Sequence, residues 1–293
     1  MDIDNSLFLI DKKAGRTSHD EVDIVRSALW KAGLKAKVGH SGTLDPKVTG
    51  LLVVGIGKGT RMLEYMLDAP KQYTGEILFH ESVTREQLEK AIEHFVGNIE
   101  QLPPRRSSVK RELRTRAIYS IEILEFSTRK ATLQCRVEKG TYIRKLFHDI
   151  GEYMNTKSHM GDLHRTHVGP YVIDEKTLSA EEFKIMVMAA HSHIPFLSSI
   201  YRKKLSQHVL SMTSALPDVP QLTLWPEIER HLTSGEPLFV PGVQRVDSFK
   251  KNDLVQIISD QQKLIALGYA EMDSDEIQFN EKGLAIKMHK VFL

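Results

Sequence analysis

In the stretch HSGTLDPKVTG, residues 40–50, a single carboxylate, Asp45, sits between Leu44 and Pro46. Asp-Pro commonly starts a turn, because proline fixes φ and the aspartate side chain bonds nearby backbone. A carboxylate held out for chemistry would instead serve as a nucleophile or a base. The dipeptide alone favours the turn. Two further residues have a chemical type and an ordinary reading. Tyr73 in KQYTGEILF shares a strand face with Ile77 and Phe79 and reads as a core aromatic. Arg144 in KGTYIRKL, taken alone, reads as a surface arginine in the first turn of a helix.

Other chemistries find less support. The thirteen histidines suggest a metal through His164 and His167 or His191 and His193. Without HExxH or another ligand-spaced motif they read as surface histidines, and no metal is expected. GIGKGT, residues 55–60, lacks the G-x-G-x-x-G spacing of a dinucleotide loop. The lone Cys135 excludes an internal disulfide and points to a reducing compartment, so a cytoplasmic protein is expected. Nothing approaches the ~20 apolar residues of a membrane span. The start, MDIDNSLFLIDKK, reads as a strand and not a signal peptide.

The net charge of +2 conceals an asymmetry. Residues 218–293 hold eight Lys/Arg against twelve Asp/Glu, a net of −4, which leaves +6 for residues 1–217. The densest basic stretch, PPRRSSVKRELRTR at residues 103–116, has six Arg/Lys and one acid. A charge run is usually a solvated face. Here serine and proline interrupt it and no helical acidic complement accompanies it, which favours a polyanion such as RNA.

The elements that must position these residues follow from periodicity. The 293 residues suggest two domains, with a boundary at PDVP, residues 217–220: 1–216 and 217–293. A strand is predicted at 7–10. A helix follows with a Ser18/Glu21 capping box and an end near Gly33. LLVVGIG, 51–57, is apolar throughout and predicts a buried strand. Thr60 is expected to cap a helix carrying Leu63, Met66 and Leu67. A second capping box, Thr84/Gln87, opens a helix through Leu88, Ile92 and Phe95 to a stop at Gly97. Strands are predicted at 119–126 and 132–138. Helical spacing then returns at Ile143, Leu146, Phe147 and Ile150. Residues 174–216 predict only the helix 180–189. Beyond the boundary come a helix from Pro226 to Gly235 and strands at 238–240, 254–259, 263–271 and 285–291. The whole is α+β, with a central mixed or antiparallel sheet and a small β-barrel-like module after it.

With these elements in place, five segments can be weighed together: VGHSGTLDPKVTGLLVVGIGKGTR, KQY, PPRRSSVKRELRTRAIY, CRVEKGTYIRKLFHDIG and LHRTHVGPY. In this order they resemble the TruB/dyskerin family of pseudouridine synthases over residues 7–171, and the last module resembles the PUA RNA-binding domain. The resemblance implies that Asp45 is a catalytic aspartate, Arg144 its partner and Tyr73 the tyrosine that stacks on a flipped uridine. It places His40, Tyr142, Leu163 and Lys71 around the substrate. It places Arg105, Arg106, Lys110, Arg111, Arg114, Lys139, Arg165, Gly235 and Gly242 on RNA. Lys12 and Gly15 fall in the family's N-terminal structural motif, where its usual Lys-Pro is Lys12-Lys13. His164 stands where arginine is common.

The implied reaction isomerises uridine by breaking N1–C1′, turning the base and rejoining it through C5. No atoms are added, so neither a cofactor nor a metal is expected, and the target base must be flipped out. VKRELRTRAIY and the short segments around it resemble the members that work in guide-RNA ribonucleoproteins. The partners expected are therefore a guide RNA, substrate rRNA or tRNA, and the small accessory proteins of an H/ACA particle. A stand-alone tRNA T-loop synthase is the alternative, and a non-catalytic RNA scaffold a second.

Overall fold

The computed structural model describes residues 3, 5–103 and 110–292. Chain contacts divide it into two compact units, Met1–Val209 and Leu210–Leu293. The first unit runs β1 (Asn5–Lys12), α1 (Ser18–Lys31), β2 (Val38–His40), β3 (Thr49–Gly57), α2 (Leu63–Asp68), β4 (Lys71–Phe79), α3 (Arg85–Phe95) and β5 (Gly97–Gln101). It continues with β6 (Arg114–Ser127), β7 (Lys130–Val137), α4 (Ile143–Tyr153), β8 (Ser158–Val168), β9 (Tyr171–Val172), α5 (Ala180–Ala190) and α6 (Pro195–His208).

Its central sheet has the order β1-β3-β8-β4-β7-β6-β5, with β2 on β3 and β9 on β8. The β3–β8 pairing is parallel and the neighbouring ones antiparallel, so the sheet is mixed as expected. β3 is buried on both faces: Leu51 through Val54 have no exposed surface. That is why the run is apolar throughout instead of alternating. Leu52, Val54 and Ile56 pack with α1 and α5 in one core. A second core lies under α3 and α4, where Leu88, Ile92, Leu146, Phe147 and Ile150 meet Ile77, Leu133 and Ile121. Each such side chain contributes about 1.5–3 kcal/mol through burial.

Several local expectations need correcting. The first capping box is Thr17/Asp20, one residue earlier than Ser18/Glu21. Thr17 is extended (φ −78°, ψ 162°) and its hydroxyl accepts from Asp20 N, while Asp20 accepts from Thr17 N at 2.6 Å. Both Ser18 and Glu21 are buried instead. Thr60 lies in a 3₁₀ turn ahead of α2 and gives its hydroxyl to Gly57 O, so it caps nothing, and Leu67 is exposed. The helix α6 was not predicted: its exposed Phe196 and Ile200 blur the apolar stripe, leaving Leu205 as its buried residue.

The second unit is a six-stranded sheet in which neighbouring strands follow in the order Leu238–Phe239, Leu284–Val291, Leu264–Ala270, Leu254–Ile258, Gln221–Leu224, Val243–Val246. Gln221–Leu224 and Val243–Val246 were not predicted from so few residues. Leu222, Val255, Ile257, Ile265 and Ile286 fill its core. Pro226–Ser234 is a 3₁₀ helix ended by Gly235 in the left-handed region, φ 80°.

Candidate active site

Asp45 projects from the loop between β2 and β3. Leu44 and Val48 on either side of it are buried in the α3/α4 core, while Asp45, Pro46 and Lys47 between them are exposed. The loop is anchored at both feet. Val48 N donates to Asp45 O at 3.0 Å, which closes the turn that Asp-Pro predicted. The backbone of Asp45 thus makes the expected turn, and the turn leaves its side chain at the surface.

Three side chains beneath the loop fix its backbone. Ser18 accepts Leu44 N at 2.9 Å, the task that displaced it from the cap. Lys12 is fully buried, and its ammonium donates to Val48 O at 2.6 Å and to Pro46 O and Lys13 O at 3.1 Å. Burial lowers its pKa, while Glu21 and Asp45 oppose that shift. Arg165 is 1% exposed. Its Nε donates to Leu51 O at 2.8 Å and its Nη2 to Gly42 O at 3.2 Å, tying together the two ends of the loop. At Gly50 any Cβ would lie 2.3 Å from Arg165 O, so β3 meets β8 there only with glycine.

Arg144, the second residue of α4, donates through Nη2 to Asp45 Oδ2. About half of each side chain remains exposed, so the pair is open to an incoming ligand. Tyr73 on β4 is partly buried against the cluster that contains Leu44, Val48, Ile143, Phe147 and Leu163. Gly75 makes room for that packing: a Cβ there would lie 2.5 Å from Leu163. Tyr142 precedes Ile143 and caps α4 through its backbone. His40 ends β2, with Nδ1 accepting from Gly42 N at 3.2 Å and its ring edge-on to His19, centroids 5.7 Å apart. Burial holds its pKa below the ordinary value, helped by His19 and Arg165. The ring is thus neutral near pH 7, with Nε2 carrying the proton.

The structure redistributes the other expected site residues. Lys71 is buried and spends its ammonium on Met66 O, Leu67 O and Ala69 O at 2.6–2.9 Å, closing the end of α2. Burial, reinforced by Arg165, brings its pKa to about 8. Neither Lys71 nor Arg165 is presented to a substrate or to RNA, because each cation is consumed inside the protein. Lys139 is exposed and bonded to Asp68 at 2.5 Å. Lys110 pairs with Glu112, and Arg114 lines a cleft with Gln101, Pro103, Arg116, Gly140 and Tyr142. Arg111 is exposed. Arg105 and Arg106 lie outside the described residues. In the second unit Gly235 is exposed, while Gly242 is buried, where a Cβ would lie 2.9 Å from Leu238. His164 bonds Thr49 Oγ1 at 2.8 Å, just after the loop.

Sequence reasoning missed Ser18 and Gln101. Ser18 was read as the cap of α1, and Gln101 gave no signal. Gln101 bonds both backbone groups of Tyr142.

An exposed carboxylate on a stiff loop, with a guanidinium on it and a half-buried aromatic ring in the same cluster, suits covalent or base catalysis on a stacked ring. Comparison with known proteins identifies the family. Residues 30–84 and 80–143 match the TruB family pseudouridylate synthase N-terminal domain. Residues 144–217 match a tRNA pseudouridylate synthase B C-terminal domain, and 221–292 a PUA domain. A probable tRNA pseudouridine synthase B of Thermoplasma acidophilum is 36% identical over 93% of this chain and 72% of its own length. That of Pyrococcus furiosus is 35% identical over 100% of this chain and 84% of its own.

Among solved structures, a Cbf5–Nop10–Gar1 complex contains a chain that matches with TM-score 0.83 at 34% identity, covering 99% of this chain and 86% of that one. An H/ACA ribonucleoprotein bound to a substrate RNA containing 2′-deoxyuridine matches at 0.82 and 32%, with 99% and 86% covered. Fold and sequence thus agree on one assignment: this chain belongs to the TruB family and is a pseudouridine synthase, an enzyme that isomerises uridine in RNA.

Proposed function

We propose that Asp45 is the catalytic carboxylate and that the enzyme works as the guide-directed subunit of an H/ACA-type particle. The contact between Arg144 Nη2 and Asp45 Oδ2 supports the first part. A guanidinium on one oxygen orients the carboxylate, the group that attacks or takes a proton. Tyr73 receives the flipped uracil, Leu163 and Tyr142 line the pocket, and neutral His40 stands where the base leaves its stack.

The match to the Cbf5-containing complexes over nearly the whole chain supports the second part. So does the short path from β4 to β5, which holds α3 and leaves no room for a large RNA-gripping insertion. Grip and sequence selection then come from pairing between guide and substrate, from accessory proteins of the Nop10 and Gar1 type, and from the basic segment before β6. The names of the curated relatives favour a second reading, stand-alone action on tRNA.

One assay separates these readings: pseudouridine mapping on guide-matched RNA, mismatched RNA and tRNA, with and without guide and accessory proteins. Guided action requires modification that follows the guide's pairing sequence. Efficient tRNA modification with no response to any guide would decide for the stand-alone enzyme. Asp45→Asn, run in parallel, should abolish turnover in every arm while RNA affinity stays within about twofold. General acid–base and covalent groups account for roughly 10²–10⁴-fold or more in rate, so substantial turnover by this variant would remove Asp45 from the chemistry.

A further inference from the structure

Gln101 is the last residue of β5, forty-one positions from Tyr142, and is 2% exposed. Its carboxamide bonds both main-chain groups of that one residue. Oε1 accepts from Tyr142 N at 3.0 Å, and Nε2 donates to Tyr142 O at 3.3 Å. Tyr142 is the N-cap of α4, has φ −93° and ψ 100°, and makes no side-chain capping bond. Its carbonyl also accepts the first helical bond, from Leu146 N at 3.0 Å. Gln101 therefore grips the peptide from which the helix starts.

We infer that Gln101 is a positioning residue for catalysis, acting through Tyr142 to set the angle at which α4 delivers Arg144 to Asp45. Arg144 lies two residues beyond Tyr142, within the first turn, where a rotation about the cap displaces the guanidinium most directly. Ile143, Leu146 and Phe147 fix the helix against the core, but apolar packing resists rotation about the cap less sharply than a pair of directed hydrogen bonds. A buried carboxamide satisfied at both ends has one orientation, which suits a part that holds geometry. This inference rests on the assignment of Asp45 and Arg144 to the active site.

The test uses the full chain with a guide-assembled substrate RNA and a tRNA transcript, under single-turnover and steady-state conditions. Gln101→Met keeps volume and removes both bonds. It should lower kcat about tenfold or more with KM within about twofold, because misplacement by an ångström costs rate before it costs binding. In an Arg144→Lys background the further loss should shrink to about twofold, since both changes spoil the same geometry.

Gln101→Glu adds a readout independent of folding yield. A buried carboxylic acid can still donate to Tyr142 O, whereas its carboxylate cannot. The activity of this variant relative to wild type should therefore climb as pH falls. Wild-type kcat in Gln101→Met, additive losses with Arg144→Lys, or a Gln101→Glu profile parallel to wild type would each overturn the inference. Asp45→Asn in the same assay keeps the failures apart. If it is inactive while Gln101→Met is fully active, only the positioning role falls; if it is active, the site assignment itself falls.

Discussion

Arg144 and Asp45, ninety-nine positions apart, meet through one guanidinium nitrogen and one carboxylate oxygen, and each side chain stays about half exposed. At that exposure an ion pair adds only about 0–1 kcal/mol to stability, after side-chain entropy and solvent screening. On the proposed assignment the contact serves to aim the carboxylate. Arg144→Ala should therefore leave the urea midpoint nearly unchanged while cutting turnover by at least about a hundredfold. Arg144→Lys should restore only part, since an ammonium cannot reproduce the planar fork. A large loss of stability without loss of turnover would show the pair to be structural.

Lys12 should differ from Arg144 in its effect on stability. Lys12→Met removes the donor from Pro46 O and Val48 O, on both sides of the exposed turn. It also leaves Glu21, itself 1% exposed, without the cation nearby. Removing a buried charge brings some relief, but several polar groups are stranded at once. The net expectation is a loss of about 1–3 kcal/mol in chemical unfolding, together with reduced turnover as the loop loosens. Unfolding at the wild-type denaturant concentration would contradict it.

His40 gives a pH signature. Its folded pKa lies below the ordinary 6.5, first through burial, then through His19 and Arg165. Between the two values the unfolded chain binds the proton more readily, so stability rises with pH through that window and is lost as pH falls. His167 is lowered in the same direction by burial and Arg136. The diagnostic is thus a difference: unfolding curves from about pH 5 to 7.5 should show a shallower slope in His40→Gln than in wild type. Equal slopes would count against a buried neutral imidazole.

The basic segment before β6 can be tested as a group. If Arg105, Arg106, Lys110 and Arg111 all meet phosphates, replacing the four by alanine should lower the log–log salt slope of RNA binding by roughly 3–4 units, less where the RNA is single-stranded. Filter binding at several salt concentrations reads this directly. An unchanged slope would return the segment to a solvated face or assign it to a protein.

Much of the framework was written locally in the chain. The apolar run of β3, the Thr84/Gln87 box and the spacing of Ile143, Leu146, Phe147 and Ile150 each act within a few residues, and they formed the predicted elements. The turn at Asp45 was likewise local: Asp-Pro closes it, and Leu44 and Val48 on either side are buried. Tertiary structure decided which of several equivalent polar groups does which task. Thr17 and Ser18 can both cap α1, and Thr17 does so because Ser18 accepts Leu44 N across the fold. Arg165 and Lys71 carry charges that suit a phosphate, yet both are spent on main-chain carbonyls inside the protein. Gln101 has no partner in sequence; only the approach of β5 to the start of α4 gives it Tyr142. Periodicity determines which residues are buried, since burial follows from an element's own faces. A hydrogen bond needs a partner within about 3 Å, and chain segments dozens of residues apart reach that distance only when the whole sheet has formed.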